Sequence, residues 1–378
     1  MRSYKTNKIS YLKKIIIVAG EESGDMYASK IINDLSKKEN LKFYAMGSSK
    51  MKKTKATLLV DSSKLSVVGF FEILKIYPKL LKSLNIMKRS IDEIKPDLLV
   101  LIDYQEFNMK LAKYAKLNGI KVLFYISPQV WAWRENRLKN IKNYIDEMAV
   151  IFPFEEKYYK NLGISSHYVG HPLLKDEIYK KNYSKDKDNI GFFPGSRLSE
   201  VKSHLPIINK VIKNMHRKNS KEKFLISRSS NIDMKIYAKY FSNKKYVSIV
   251  TNENIYKTID RCKIAVAASG TITLQIALKK IPMCVFYKLS NATYLIVKFL
   301  VKTKFISLVN IILNKKAIEE YIQGDASAKN IENEIEKINN NEGYRENLIK
   351  DIGMIEKILS DDTYTTNINE LILKSLTN

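Results

Sequence analysis

Short uncharged apolar runs closed by small or ionisable residues alternate along the chain with segments whose apolar residues return every three or four positions. Leu98 to Ile102 is one such run; too short for a helix, it reads as a strand buried on both faces, and it ends on Asp103. Phe107 to Asn118 then carries Leu111, Ala112, Tyr114, Ala115 and Leu117 at helical spacing, and Gly119 stops the helix. Val122 to Ile126 is a second buried strand. It runs into Ser127-Pro128-Gln129-Val130-Trp131-Ala132-Trp133-Arg134, which holds both tryptophans of the chain. Strand, helix, strand is a βαβ unit with a right-handed crossover.

The same rhythm opens the chain. A strand at Lys14–Ala19 feeds Gly20-Glu21-Glu22-Ser23-Gly24-Asp25 and a helix through Leu35, followed by a strand at Lys42–Met46 and the turn Gly47-Ser48-Ser49. This is a Rossmann-like opening without the GxGxxG fingerprint, so no dinucleotide is implied. Strands are expected at Glu147–Ile151 and at His167–Val169, the latter ending in Gly170-His171-Pro172. Lys180 to Asp188 is charged and aperiodic and reads as a linker, and its Asp186-Lys187-Asp188 as solvated loop rather than a metal-binding DxD element. The rhythm then restarts. Asn189–Phe193 leads into Pro194-Gly195-Ser196-Arg197 and a helix from Ser199; further strands are expected at Lys223–Ser227 and Tyr246–Val250; Lys263–Ala268 leads into Ser269-Gly270-Thr271 and another helix. The tail is helical, with Ile331, Ile335, Ile338, Leu348, Ile352 and Ile355 in phase. The expected division is 1–180, 189–330 and a helical tail, 331–378.

Strand ends carry the candidate chemistry, because ligands of open parallel sheets bind at the carboxyl edge. Asp103 lies at such an edge, where a helix N-cap and a functional carboxylate are both open readings. The turns after Phe193 and Ala268 are small-residue loops before helices, able to cradle an anion on free amides, with Arg197 adding a forked cation. Two such cradles in one half point to a nucleotide diphosphate.

At 378 residues two domains are the default, and 45% hydrophobic residues exclude a disordered chain. The net charge of +26 would attract anions, although dispersed lysines with many Asn, Ile and Tyr also fit codon bias. Cys262 and Cys284 offer no disulfide framework or metal spacing, which fits a reducing compartment. No secretory signal or membrane span is expected, since lysines interrupt the longest oily stretch, Thr293 to Leu313. Val67 to Ile94 has a wide apolar face with Lys75, Lys79, Lys82, Lys88 and Arg89 between, and Pro78 should kink or restart it. It reads either as a core-facing helix or as a basic amphipathic segment on a membrane surface.

From Ile15 to Gln323 the residues resemble, collinearly, the lipid-A-disaccharide synthase family of bacterial glycosyltransferases. The segments that carry the likeness are Ala19-Gly20-Glu21-Glu22-Ser23-Gly24-Asp25, Leu65-Ser66-Val67-Val68-Gly69 with Glu72, Ile102-Asp103 with Phe107-Asn108, and Ser127 to Arg134. Phe152-Pro153-Phe154-Glu155, Val169-Gly170-His171-Pro172, Pro194 to Arg197, Ala268 to Thr271 and Leu300-Val301-Lys302 follow in the family's order.

The resemblance implies a GT-B architecture: α/β, two Rossmann-like domains facing across a cleft, with C-terminal helices packing back on the N-terminal domain. It implies inverting transfer of 2,3-diacylglucosamine from UDP to 2,3-diacylglucosamine 1-phosphate (lipid X), giving a β(1→6) disaccharide 1-phosphate and UDP. It further implies no cofactor, no metal, no nucleic-acid partner, and a cytoplasmic enzyme peripherally associated with an anionic inner-membrane surface; a homodimer is left open.

Carried onto this chain, Asp103 is the base, with His171 its competitor. Glu21, Ser23, Gly24, Asp25, Glu106, Asn108, Trp131, Trp133 and Arg134 bind the acceptor. Gly195, Ser196, Arg197, Ser269, Gly270, Thr271, Gln275 and Asn310 bind UDP. Glu106, in the next turn, is expected to raise the pKa of one of the pair it forms with Asp103 by like charge. Departures from the family pattern are Tyr104-Gln105 for Ala-Pro, Glu106 for Asp, Gln275 for Glu and Val309 for Pro. Two other readings stand beside this one: another GT-B transferase or epimerase acting on UDP-N-acetylglucosamine, and a basic binding protein without enzymatic activity.

Overall fold

The computed structural model describes residues 11–38, 40–64, 70–128, 130, 137–175, 178–184, 186–242, 244–251, 254–289, 294, 303–360 and 366–377, with backbone alone at 64 and over 70–76. Leu65 to Gly69, the side chain of Glu72, Gln129, Trp131, Trp133, Arg134 and Leu300 to Lys302 therefore lie outside the described residues.

Two compact units divide the chain: Met1–Pro172 with Asp362–Asn378, and Leu173–Asp361. The first holds a parallel sheet of β1 (Lys13–Ala19), β2 (Leu41–Gly47), β3 (Thr57–Asp61), β4 (Leu98–Ile102), β5 (Lys121–Tyr125), β6 (Glu147–Val150) and β7 (Ser166–Tyr168) in the order β3-β2-β1-β4-β5-β6-β7. The second holds β8 (Asn189–Phe193), β9 (Lys223–Arg228), β10 (Val247–Thr251), β11 (Cys262–Ala268), β12 (Met283–Tyr287) and β13 (Glu320–Ile322), also parallel, in the order β10-β9-β8-β11-β12-β13. In each sheet the strand order reverses direction beside the first strand, so a crevice opens at the carboxyl ends of β1 and β4, and of β8 and β11.

The uncharged composition of β4 follows from its two covered faces. Leu98, Val100 and Ile102 pack with Ala28, Ile31, Ile32 and Leu35 of the helix Glu22–Leu35, whereas Leu99 and Leu101 meet Leu84, Met87 and Ile91 on one helix and Leu111, Ala112 and Ala115 on another. All five strand residues are solvent-free. A polar side chain on either face would lose its water without a partner.

The tail meets the expected arrangement only in part. The helices Ala328–Asn340 and Glu342–Leu359 bury their phased isoleucines and leucines within the second unit. Among the described tail helices only the last, Ile368–Thr377, packs on the first sheet, placing Ile368, Leu371, Ile372 and Leu376 against Leu123, Tyr125 and Ala149. The segment that follows Leu173 is tied to the second unit. The buried pair Lys279–Asp260 (2.7 Å) receives it, Lys279 donating to the Lys181 carbonyl and Asp260 accepting from the Tyr183 amide.

Pro78 neither stops nor restarts its helix, which runs unbroken from Phe70 to Ile94. Pro78 is exposed there. No described helix is long and apolar enough to cross a membrane.

Candidate functional site

At the first crevice β1 passes into Gly20-Glu21 and β4 into Asp103-Tyr104. Asp103 and Tyr104 both take left-handed backbone angles, φ 48° and 45°, a conformation uncommon outside glycine. Gly20 answers this turn: a Cβ there would stand 2.2 Å from the Tyr104 ring, so only glycine lets the ring lie on the β1 loop. The Asp103 carboxyl is pushed up to about 6, first by burial and then by the negative charge of Glu21, while the Tyr104 amide donates to it and partly opposes the rise. A carboxylate so placed is ionised at neutral pH yet much more basic than a solvated one.

This corrects the role expected of Glu106. Its side chain is 72% exposed and ion-paired to Arg137, and the charge that acts on Asp103 comes from Glu21 on the neighbouring strand's loop. Other expected acceptor ligands prove structural. Asp25 is solvent-free; its carboxylate accepts from the Ser48 amide (2.6 Å) and hydroxyl (2.7 Å), the Lys50 amide (2.9 Å) and the Met51 amide (3.3 Å), so it shapes the loop after β2. Gly24 lets the helix approach the sheet, its position lying against Ala19 and Ile102. Asn108 is solvent-free and donates to the carbonyls of Ile102 and Asp103. Glu21 and Ser23 remain exposed at the crevice. His171, the competitor for the base, is buried against Phe152, and the loss of hydration pushes its imidazole down to about 3.

In the second unit Pro194-Gly195-Ser196-Arg197 leaves β8 and opens the helix Leu198–Lys218, and Ser269-Gly270 leaves β11 and opens Thr271–Leu278. Because β8 and β11 are neighbours, the two turns lie side by side at the switch point. Gly195 has φ 102°, and a Cβ there would meet the Glu200 carboxylate at 2.4 Å; Gly270 has φ 151°. Ser196, Arg197 and Thr271 are exposed, with Gln275 half-buried one turn further along. The amides that open both helices lie at the positive end of the helix dipole, although Thr273 already donates to the Gly270 carbonyl.

Behind these turns lies a layer that the sequence reading missed. Glu200 accepts from the Arg197 guanidinium (3.3 Å) and the Tyr287 hydroxyl (2.8 Å). Solvent-free His204 donates from Nδ1 to the Pro194 carbonyl (2.8 Å) and accepts at Nε2 from the Lys288 amide (3.0 Å), which fixes a neutral tautomer and ties the β8 turn to the end of β12. Burial is the main cause holding its pKa below the usual histidine value. The phasing of Glu200 and His204 with Arg197 on one helix was the available signal. Asn310, expected at UDP, is fully buried instead; it donates to the Ile318 carbonyl and Glu320 and accepts from the Ala317 and Ile318 amides, clamping the approach to β13.

A family model described as lipid-A-disaccharide synthetase matches residues 15–367. The chain belongs to the lipid-A-disaccharide synthase family. It is 34% identical over 370 residues to a lipid-A-disaccharide synthase of Coxiella burnetii (strain RSA 331 / Henzerling II), covering 95% of this chain and 98% of the relative. A lipid-A-disaccharide synthase 1 of Legionella pneumophila (strain Lens) is 33% identical over 96% of this chain and 97% of its own length. Membership makes the chain a glycosyltransferase.

Solved structures share the fold at much lower identity. The glycotransferase of kitacinnamycin matches with a TM-score of 0.65 at 11% identity over 96% of this chain and 99% of that one. Staphylococcus aureus MnaA bound to UDP matches at 0.62 and 10% over 92% and 94%, and Acinetobacter baumannii MurG at 0.54 and 13% over 97% and 99%. The GT-B class expected of the lipid-A-disaccharide synthase family is therefore the fold of this chain.

Proposed function

We propose that the chain transfers 2,3-diacylglucosamine from UDP to 2,3-diacylglucosamine 1-phosphate with inversion, giving a β(1→6) disaccharide 1-phosphate and UDP. The observation that carries the mechanism is the pairing of chemistries at two topologically equivalent places: a basic carboxylate beside β1 and β4, and an anion cradle beside β8 and β11. Asp103, ionised above about pH 6, takes the proton of the acceptor 6-hydroxyl. That oxygen forms the bond to the anomeric carbon as the bond to the diphosphate breaks, its electron pair leaving with UDP. The amides at 195, 196 and 198 and at 270–272, with the Arg197 side chain, stabilise the growing diphosphate charge. Gln275 is assigned to the ribose, and Glu21 and Ser23 to the acceptor.

Acylated substrates reside in a bilayer, and the helix Phe70–Ile94 supports contact with one. Tyr77, Leu81 and Ile86 expose 49%, 40% and 36% of their surfaces among exposed Lys79, Lys82 and Arg89. Apolar and basic side chains intermixed on one exposed stretch suit reversible binding to an anionic cytoplasmic leaflet. The substrate assignment is tested by comparing acylated and unacylated UDP-sugars with acylated and unacylated acceptors. Preference for the doubly acylated pair is expected; efficient turnover of UDP-N-acetylglucosamine with a water-soluble acceptor, or its epimerisation, contradicts the proposal.

A further inference from the structure

We propose that Asn108 is the positioning residue of Asp103, acting on the transfer only through the turn that holds that carboxyl; this rests on the reading of Asp103 as the base. Asn108 binds three consecutive carbonyls. Its side-chain Nδ2 donates to Ile102 (3.2 Å) and to Asp103 (2.7 Å), and its backbone amide donates to Tyr104 (3.1 Å). The amide orientation is unambiguous, because the reverse would set Oδ1 against two carbonyl oxygens. Oδ1 itself is buried with no hydrogen-bond partner among the described residues. A solvent-free amide that leaves its acceptor unused is retained, on this reading, for what its donors do.

What they do is stabilise an unfavourable backbone. Two successive non-glycine residues at φ 48° and 45° persist only where their surroundings over-determine the conformation. Three contacts do so here: Asn108 from below, the bond from the Asp103 amide to the Tyr125 carbonyl (3.0 Å), and the Tyr104 ring seated on Gly20. Releasing the Asn108 clamp frees Asp103 to relax toward extended backbone, which moves its carboxyl away from Glu21 and toward water. Asn108 and Asp103 then act as one unit, and their losses should not multiply.

The test is a double-mutant cycle with Asp103→Asn, read as kcat, donor KM and the pH dependence of kcat/KM. Asn108→Ala is expected to lower kcat about 10–100-fold, the scale of a catalytic group misplaced by an ångström. It should leave UDP affinity unchanged and move the acid limb below pH 6, toward an ordinary carboxylate. In the Asp103→Asn background the same change should cost no more than about twofold. Asn108→Ser, which keeps one donor, should recover part of the loss, and it replaces Asn108→Ala throughout if the alanine variant does not fold. Multiplicative losses, an unmoved acid limb or an equal effect on donor KM overturns the positioning role. Near-normal turnover of Asp103→Asn alone instead overturns the base assignment, an outcome separable from the first three.

Discussion

Asp103→Asn should stabilise the protein while disabling it. The rise of the Asp103 carboxyl from 3.8 to about 6 means that the folded state disfavours the ionised form, by about 3 kcal/mol at 1.36 per pH unit. The half-open position of the side chain admits solvent and trims this to about 1–3 kcal/mol. The sign follows from proton linkage. The native state binds this proton more tightly than the unfolded chain does, so the penalty is absent below pH 3.8, grows between 3.8 and about 6, and is complete above about 6. Asparagine removes the charge, keeps the size and tolerates left-handed backbone, so no new strain enters at φ 48°. Thermal unfolding at pH 7.5 should therefore occur higher in the variant, by about 2–4 °C for each kcal/mol in a domain of this size. At pH 4, just above the unfolded value, the gain should shrink to about a fifth of this. A variant that is less stable at pH 7.5, or a gain that persists undiminished at pH 4, refutes the account of how burial and Glu21 act on this carboxyl.

Three further perturbations address the remaining parts. Glu21→Gln should move the acid limb of kcat/KM to lower pH, though not to 3.8, since burial is the larger cause of the raised value; an unmoved limb excludes the Glu21 charge. Arg197→Ala should weaken UDP binding measured calorimetrically by about 1.5–3 kcal/mol, the worth of a charged hydrogen bond, and unchanged affinity would move the diphosphate away from the β8 turn. Flotation with anionic vesicles should fall with salt and with Lys79→Glu plus Lys82→Glu, at about 1 kcal/mol per lost cation, whereas flotation indifferent to both removes Phe70–Ile94 as the membrane face.

Most strands were legible as short apolar runs closed by turn residues, although Thr57–Asp61 and the buried Met283–Tyr287 went unmarked. Leu98–Ile102 and Asn189–Phe193 were read with the bounds that the structure has, and the adjoining turns placed Asp103, Gly195 and Gly270 at strand ends. The edge strand Glu320–Ile322 has only half-buried residues and no apolar run, so nothing marked it. Polar residues within motif loops were misread for one reason: spacing does not distinguish a side chain that meets a ligand from one that ties a loop. Asp25, Asn108 and Asn310 lie in recognisable segments, yet each is solvent-free and bonded to backbone. The exchange of Glu106 for Glu21 has a related cause. Glu106 is close to Asp103 in sequence, but the pairing of β1 with β4 brings Glu21 closer in effect.

The central claim is that Asp103 drives sugar transfer between two acylated substrates. It is tested most directly by mass spectrometry of products formed from UDP-2,3-diacylglucosamine and 2,3-diacylglucosamine 1-phosphate by the unaltered protein, Asp103→Asn and His171→Asn. The account predicts the disaccharide 1-phosphate with one equivalent of UDP, a rate lower by about 10²–10⁴ in Asp103→Asn, and a much smaller loss in a stably folded His171→Asn. Absence of the disaccharide with the unaltered protein, or loss confined to His171→Asn with Asp103→Asn near normal, would contradict it.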